Sequence, residues 1–223
     1  MQKEELKKFP YFTAKTLKAF FNKKNPEVTI TRWKKKLITI EKGKYTLHSN
    51  PLIYATIIET PSYLSFRSAL HLYQLTNQIP LKAQVICKKQ KKSTKKIDFF
   101  QSKYIFGFEK IKIEGFEVFI AKKEKLLLDC VLYPRAGVFE DELKELLKEK
   151  LNISQLKKYL KKINNKTLTK KIGCLLEKNN YKLTDFFEKE LITDKNYSYL
   201  NPFNKKNNKL NKKWKLYVPK NDN

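Results

Sequence analysis

Between residues 3 and 47 the apolar side chains change their repeat from that of a helix to that of a strand, and turn residues mark each boundary. Residues 3–9 predict a short helical stretch stopped by Pro10. Thr13 offers a cap oxygen to a second helix reaching Phe21, with Leu17, Phe20 and Phe21 at i, i+3, i+4 spacing along one face. Asn22-Lys23-Lys24-Asn25 predicts a turn. Asn25 then caps a third helix over residues 27–36, and Pro26 takes the first helical position, where no N–H is needed. Ile30, Trp33 and Leu37 form the apolar stripe of this helix. At about 100° per residue, Thr31, Arg32 and Lys35 fall on its opposite face, flanked by Lys36. Residues 37–47 alternate with period two around Lys42-Gly43, and glycine supplies the positive φ of a tight hairpin.

Three short helices and a hairpin make the winged helix-turn-helix pattern, expected over residues 1–48. Its third helix fits a major groove about 12 Å wide. Lys42 and Lys44 at the wing tip suit phosphate contact. The expected DNA-contacting residues are therefore Thr31, Arg32, Lys35, Lys36, Lys42 and Lys44.

Charge points the same way. The chain of 223 residues carries 49 Lys and Arg against 22 Asp and Glu, a net charge of +27. An A/T-rich genome favours lysine and supplies part of the excess, but it favours glutamate too, so codon bias does not account for the whole imbalance. The excess comes in blocks. Residues 1–48 are net +9 and residues 87–103 net +6, while residues 104–153 are net −1. A blocky positive field attracts polyanions, nucleic acid first among them. The second block, Lys88, Lys89, Lys91, Lys92, Lys95 and Lys96, is expected as a basic loop or hairpin tip giving additional nucleic-acid contacts. With tyrosine and phenylalanine nearby, this block and the basic tail also fit an RNA-binding or nucleic-acid-processing accessory protein.

Apolar residues make up 41% of the chain, enough for a real core. No apolar run approaches the roughly 18 residues of a membrane span, and Met1-Gln2-Lys3-Glu4-Glu5 lacks the apolar region of a secretory signal. A cytoplasmic protein without a membrane partner is expected. Cys87, Cys130 and Cys174 are scattered and odd in number, which argues against a disulfide framework or a zinc site.

Residues 50–223 predict an α+β domain with a mostly antiparallel sheet. Asn50-Pro51 opens a helix to about residue 59, Thr60-Pro61-Ser62 breaks it, and Ser65 caps another over residues 66–75. Strands are expected at 81–87, 97–100, 104–108, 110–113 and 116–120. Helices are expected at 121–132, 140–151, 154–163, 168–177 and 184–190. A polar linker, 204–211, then precedes a last strand at 214–218.

Catalysis is not expected, nor any cofactor or metal. A restriction-type nuclease needs two carboxylates on strands to hold Mg²⁺. The Glu-x-Lys triplets Glu5-x-Lys7 and Glu142-x-Lys144 fall in predicted helices, and Asp98 and Glu117 lack the spacing. The five glycines are isolated, so no phosphate-cradling loop exists. His48 and His71 stand alone and read as surface or packing residues. Glu124 and Asp129, five apart, do not share a helical face. Their helix reads as structural, with a salt-bridged rim.

The wing Ile40-Glu41-Lys42-Gly43-Lys44-Tyr45, the stretch Asn50-Pro51-Leu52-Ile53-Tyr54-Ala55 and, most specifically, Pro61-Ser62-Tyr63-Leu64-Ser65-Phe66-Arg67-Ser68-Ala69-Leu70 resemble the AbiEi family of antitoxins from type IV toxin–antitoxin and phage-defence systems. Ala121-Lys122-Lys123-Glu124-Lys125-Leu126-Leu127-Leu128-Asp129 resembles the family's "A-x-x-E-K-A-L-L-D" helix. Leu200-Asn201-Pro202 with Lys213-Trp214-Lys215-Leu216 resembles its closing pattern. The resemblance implies a transcriptional autorepressor on inverted repeats of double-stranded DNA at its own promoter, with two protomers on one site. It also implies an antitoxin that counters a nucleotidyltransferase-like toxin without a stable complex.

Overall fold

The computed structural model describes residues 2–138, 140–183, 185–193, 196–203 and 205–220. Its first helices form where the capping residues predict them. A short α1 (Gln2–Glu5) continues as a 3₁₀ turn, Leu6–Lys8. Helix α2 (Ala14–Phe21) has a reciprocal cap. The Thr16 N–H donates to Thr13 Oγ1 (3.3 Å) and the Thr13 N–H to Thr16 Oγ1 (3.1 Å). Asn22, left-handed at φ 47°, ends it. Helix α3 (Pro26–Trp33) begins at the proline, but the Asn25 side chain makes no cap bond. The Asn25 carbonyl instead accepts from the Thr29 amide (3.3 Å) and hydroxyl (3.2 Å).

Two further details differ from expectation. The third helix stops at Trp33, and Lys34–Lys36 tighten into a 3₁₀ turn closed by the Leu37 N–H on the Lys34 carbonyl. Such a turn satisfies orphan carbonyls where the chain must leave for a strand. Phe20, expected on the buried face of α2, is 68% exposed and rests on Phe9, ring centroids 5.0 Å apart. Leu17 and Phe21 align with the core, whereas Phe20 lies about 60° round the helix from Leu17. The hairpin, β1 (Ile38–Glu41) and β2 (Lys44–Thr46), turns at Lys42-Gly43 with Gly43 at φ 79°, and Phe12 bridges its outer strand through two backbone hydrogen bonds with Tyr45. Leu6, Phe12, Leu17 and Ile30 are buried at the centre of this region, ringed by Phe9, Phe21, Trp33, Leu37 and Tyr45.

By its contacts the chain divides into two units. The first takes Met1–Leu64, Pro80–Ile105 and Glu109–Ile120; the second takes Ser65–Ile79, Phe106–Phe108 and Ala121–Asn223. In the first, Asn50 caps a 3₁₀ turn, Pro51–Ile53, by accepting the Leu52 N–H (3.0 Å), and α4 (Ala55–Ile58) follows. Five strands come next: β3 (Ser62–Leu64), β4 (Ala83–Cys87), β5 (Ile97–Gln101), β6 (Phe108–Ile113) and β7 (Phe116–Ala121). They lie in the order β5-β4-β3-β7-β6.

This sheet is mixed, not mostly antiparallel. β3 and β4 are antiparallel, but β4 with β5 and β3 with β7 run parallel. The segment 88–96 is accordingly no hairpin tip. It carries the chain back so that Ala83 pairs with Ile97 and Cys87 with Gln101. Nine residues span up to about 30 Å, ample to return along a five-residue strand of about 16 Å. Ser93 and Thr94 fix the path: Ser93 Oγ accepts the Phe99 N–H (3.2 Å), and Thr94 Oγ1 accepts those of Lys96 (3.2 Å) and Ile97 (3.0 Å). Strand β3 escapes sequence reading because its three residues are all buried, so they show no alternation. The strand expected at 104–108 is irregular up to Gly107, whose φ of 70° breaks extended backbone.

In the second unit α5 (Phe66–Leu72), α7 (Glu140–Lys148), α8 (Ile153–Ile163) and α9 (Lys166–Lys178) pack on α6 (Lys123–Leu132). Lys125 through Cys130 are all buried, so α6 is enclosed on every side. Asn152 and Asn165 cap α8 and α9. Helix α10 (Asp185–Thr193) follows; residue 184, where the sequence predicts its start, lies outside the described residues. Strands β8 (Ser198–Tyr199), β9 (Asn208–Asn211) and β10 (Leu216–Pro219) make a small sheet ordered β8-β10-β9. The expected polar linker therefore contains an edge strand. Gly173 lets α9 approach Trp214, since a Cβ there would overlap the indole ring.

Candidate nucleic-acid interface

The α3 segment turns Ile30 inward and leaves Thr31, Arg32, Lys34, Lys35 and Lys36 exposed. Burying Ile30 and half-burying Trp33 fixes the rotation of the helix, and that rotation presents Arg32 outward. Because the last three lysines sit in a 3₁₀ turn, they fan around the end of the helix instead of continuing the Arg32 face. Their charge there also complements the negative pole of the helix. The Thr31 hydroxyl donates to the Glu27 carbonyl (3.0 Å), which leaves its oxygen only as an acceptor. Lys42 is exposed at the hairpin turn.

Lys44 is not at the surface in the expected sense. Its ammonium pairs with Glu41 (2.7 Å), donates to the Ile58 carbonyl (3.3 Å) and lies 5.6 Å from the centroid of the Tyr11 ring. Lys91 is turned inward as well. It bonds Glu41 (3.0 Å) and Glu59 (3.5 Å), 5.4 Å from the Phe99 ring centroid. Lys88, Lys89, Lys92, Lys95 and Lys96 remain exposed. Two residues that the sequence marks as contacts are thus partners in one ionic clasp, Lys44–Glu41–Lys91–Glu59. It ties the hairpin to the end of α4 and to the basic return segment. Sequence distance hides Glu41 and Glu59 from a reading of the chain alone: 50 positions separate Glu41 from Lys91.

Burial pushes the Glu41 carboxyl up, but hydrogen bonds from Lys44 and Lys91 outweigh it, and the net position is below the usual carboxylate value. A lowered carboxyl stabilises the fold above its unfolded value of about 4.5 and loses that contribution as pH falls through the folded value. Thermal melts taken from about pH 6 to about pH 3 should therefore show a steeper decline for the native chain than for Glu41→Gln. Parallel pH curves would contradict this role.

The strand carboxylates that a nuclease would need are engaged elsewhere. Asp98 accepts from Lys82 (3.1 Å) and Glu117 from Lys110 (2.9 Å). Among the described residues no group of three or more His, Cys, Asp or Glu is placed to hold a metal ion. His48 packs its ring on Phe116, with Nε2 3.1 Å from the carbonyls of Lys7 and Phe9.

A second polar constellation lies in the core of the other unit. Lys125 and Asp129, one helical turn apart on α6, form an ion pair with both side chains fully buried. Asp129 also accepts from Ser65 Oγ (3.0 Å), and the ammonium lies 5.4 Å from the Phe106 ring centroid. The expected salt-bridged rim is present in Lys123 with Glu149 (2.5 Å), but Asp129 belongs to the buried pair, and Ser65 bonds Asp129 where the sequence predicts an α5 cap. The i, i+4 spacing of Lys125 and Asp129 is visible in the sequence, though its burial is not.

No protein-family profile and no curated protein matches the sequence. Among solved structures the chain is similar to the crystal structure of the RV2827C protein from Mycobacterium tuberculosis. The TM-score is 0.69 at 12% identity, covering 96% of this chain and 89% of that one. At that identity the likeness is one of fold.

Proposed function

We propose that this chain is a sequence-specific DNA-binding autorepressor, and that α1–α3 with the β1–β2 hairpin act as a winged helix. The observation that carries the reading is the orientation of α3. Its apolar side is taken up by the core around Ile30, while Arg32 and the Lys34–Lys36 turn face solvent beside a hairpin tipped by Lys42. A helix about 10–12 Å across with a cationic outer face fits the major groove. The wing lysine then meets phosphate.

We further propose that it is the antitoxin of a type IV toxin–antitoxin system of the AbiEi kind, countering a nucleotidyltransferase-like toxin. Support comes from the phrases that carry the resemblance. Ser65, from the most specific phrase, and Asp129, from the next, join in one buried hydrogen bond, which gives a physical reason for those residue types at those places.

Gel-shift titration against the chain's own promoter tests the first proposal. Arg32→Ala should lower the preference for promoter over scrambled duplex by roughly 5- to 150-fold, the loss of one bidentate guanine contact. Lys42→Ala should weaken both duplexes alike. Equal binding of promoter and scrambled DNA by the native chain would remove the proposal. Co-expression with the toxin encoded beside it tests the second, and failure to rescue growth would reject it.

A further inference from the structure

We propose that the outer face of the β8-β10-β9 sheet binds single-stranded nucleic acid by stacking its bases. This goes beyond the duplex-binding function and uses different residues. Along β10, Leu216 and Val218 are buried while Tyr217 between them is exposed, so the sheet has one core face and one open face. Register sets Tyr217 beside Tyr199 on β8 and Leu210 on β9. Residues directly opposite each other share a face, so these three form one rung across the open side. The rings of Tyr199 and Tyr217 are stacked, with centroids 4.9 Å apart and planes at 28°. Tyr197 lies 6.3 Å from Tyr217 and is half exposed.

The open face of such a sheet ordinarily carries polar side chains. An aromatic row there calls for a partner, and the charge around it says which. Residues 201–223 hold seven lysines against one acidic residue. The Lys205 ammonium stands 5.7 Å from the centroid of the Tyr199 ring, and Lys206 and Lys212 are exposed on either side of β9. Aromatic side chains on the open side of a sheet among cations are a platform for unpaired bases, with lysines on the phosphates. A duplex hides its base faces in its own stack and offers nothing for tyrosine rings to cover. Lipid matches the charge, but flat stacked phenols match flat heterocycles better than they match acyl chains.

The test uses the full chain and fluorescence anisotropy with labelled oligo-uridine and oligo-thymidine of about twelve nucleotides, beside a promoter duplex. At least one strand should bind; which one assigns the site to RNA, to single-stranded DNA or to both. Tyr217→Ala should weaken strand binding by roughly fivefold to a hundredfold, the loss of one stack. Tyr217→Phe should restore it, and duplex binding should stay unchanged in both variants. Should Tyr217→Ala melt within the assay range, Tyr197→Ala replaces it, with the same direction expected. The proposal is overturned if neither strand binds, if both alanine variants bind strands like the native chain, or if the variants lose anionic phosphatidylserine vesicles and not strands. Strand binding without promoter preference would reject the repressor reading and leave this one standing.

Discussion

Raising salt from about 50 to about 200 mM should weaken binding of the chain to its promoter duplex by roughly five-hundredfold per protomer. The figure follows from the five exposed cations at the proposed interface, Arg32, Lys34, Lys35, Lys36 and Lys42. If each displaces one counterion set, the slope of log affinity against log salt is about −4.5. Two protomers on an inverted repeat would double that slope. Lys44 is left out because Glu41 and the Ile58 carbonyl hold its ammonium. A second titration with Lys42→Ala should flatten the slope by about one, whereas Lys44→Ala should not. A slope shallower than about −2 for the native chain would mean that this face does not meet phosphate.

Asp129→Ala should destabilise the fold more than any of the surface substitutions above. It removes the carboxylate that accepts from the buried Lys125 ammonium and from the Ser65 hydroxyl, a change that typically costs about 3–5 kcal/mol. For a chain of this size that corresponds to a fall of roughly 10 °C in melting temperature. The pair itself need not be a net source of stability, because two charges lose their water to form it. Lys125→Met combined with Asp129→Leu should therefore recover much of the loss. A native-like melting temperature for Asp129→Ala alone would contradict the buried pair. Because Ser65 and Asp129 belong to the phrases that carry the family resemblance, the result also tests whether those phrases mark packing chemistry.

Local chemistry makes the first 47 residues legible. Thr13, Pro26 and Gly43 each act within a few positions of themselves, so cap, helix start and hairpin turn fall where the residues say. Helices α8 and α9 begin within two residues of the expected 154–163 and 168–177, their asparagine caps becoming evident only in the structure. What escapes is set by partners distant in sequence. Strand β3 has no alternation because both its faces are covered. The parallel pairing of β4 with β5 depends on the path of residues 88–96, which composition marks only as basic. Lys44 and Lys91 look like their neighbours until Glu41 and Glu59 are brought beside them. Strand β9 hides in a polar stretch because an edge strand needs little apolar content to pair with β10.

The chain has two tryptophans, and the fold puts one in each unit: Trp33 beside the core around Ile30, and Trp214 against Gly173. Each indole is thus a built-in optical reporter for its own half of the molecule. Replacing either one by phenylalanine leaves a single tryptophan, which excitation near the red edge of indole absorption reads apart from the tyrosines. Denaturant titrations of the two single-tryptophan chains then read whether the halves open together or in turn. Trp33 also neighbours Arg32 in sequence, so its emission doubles as a label-free signal for occupancy of the proposed reading face of α3.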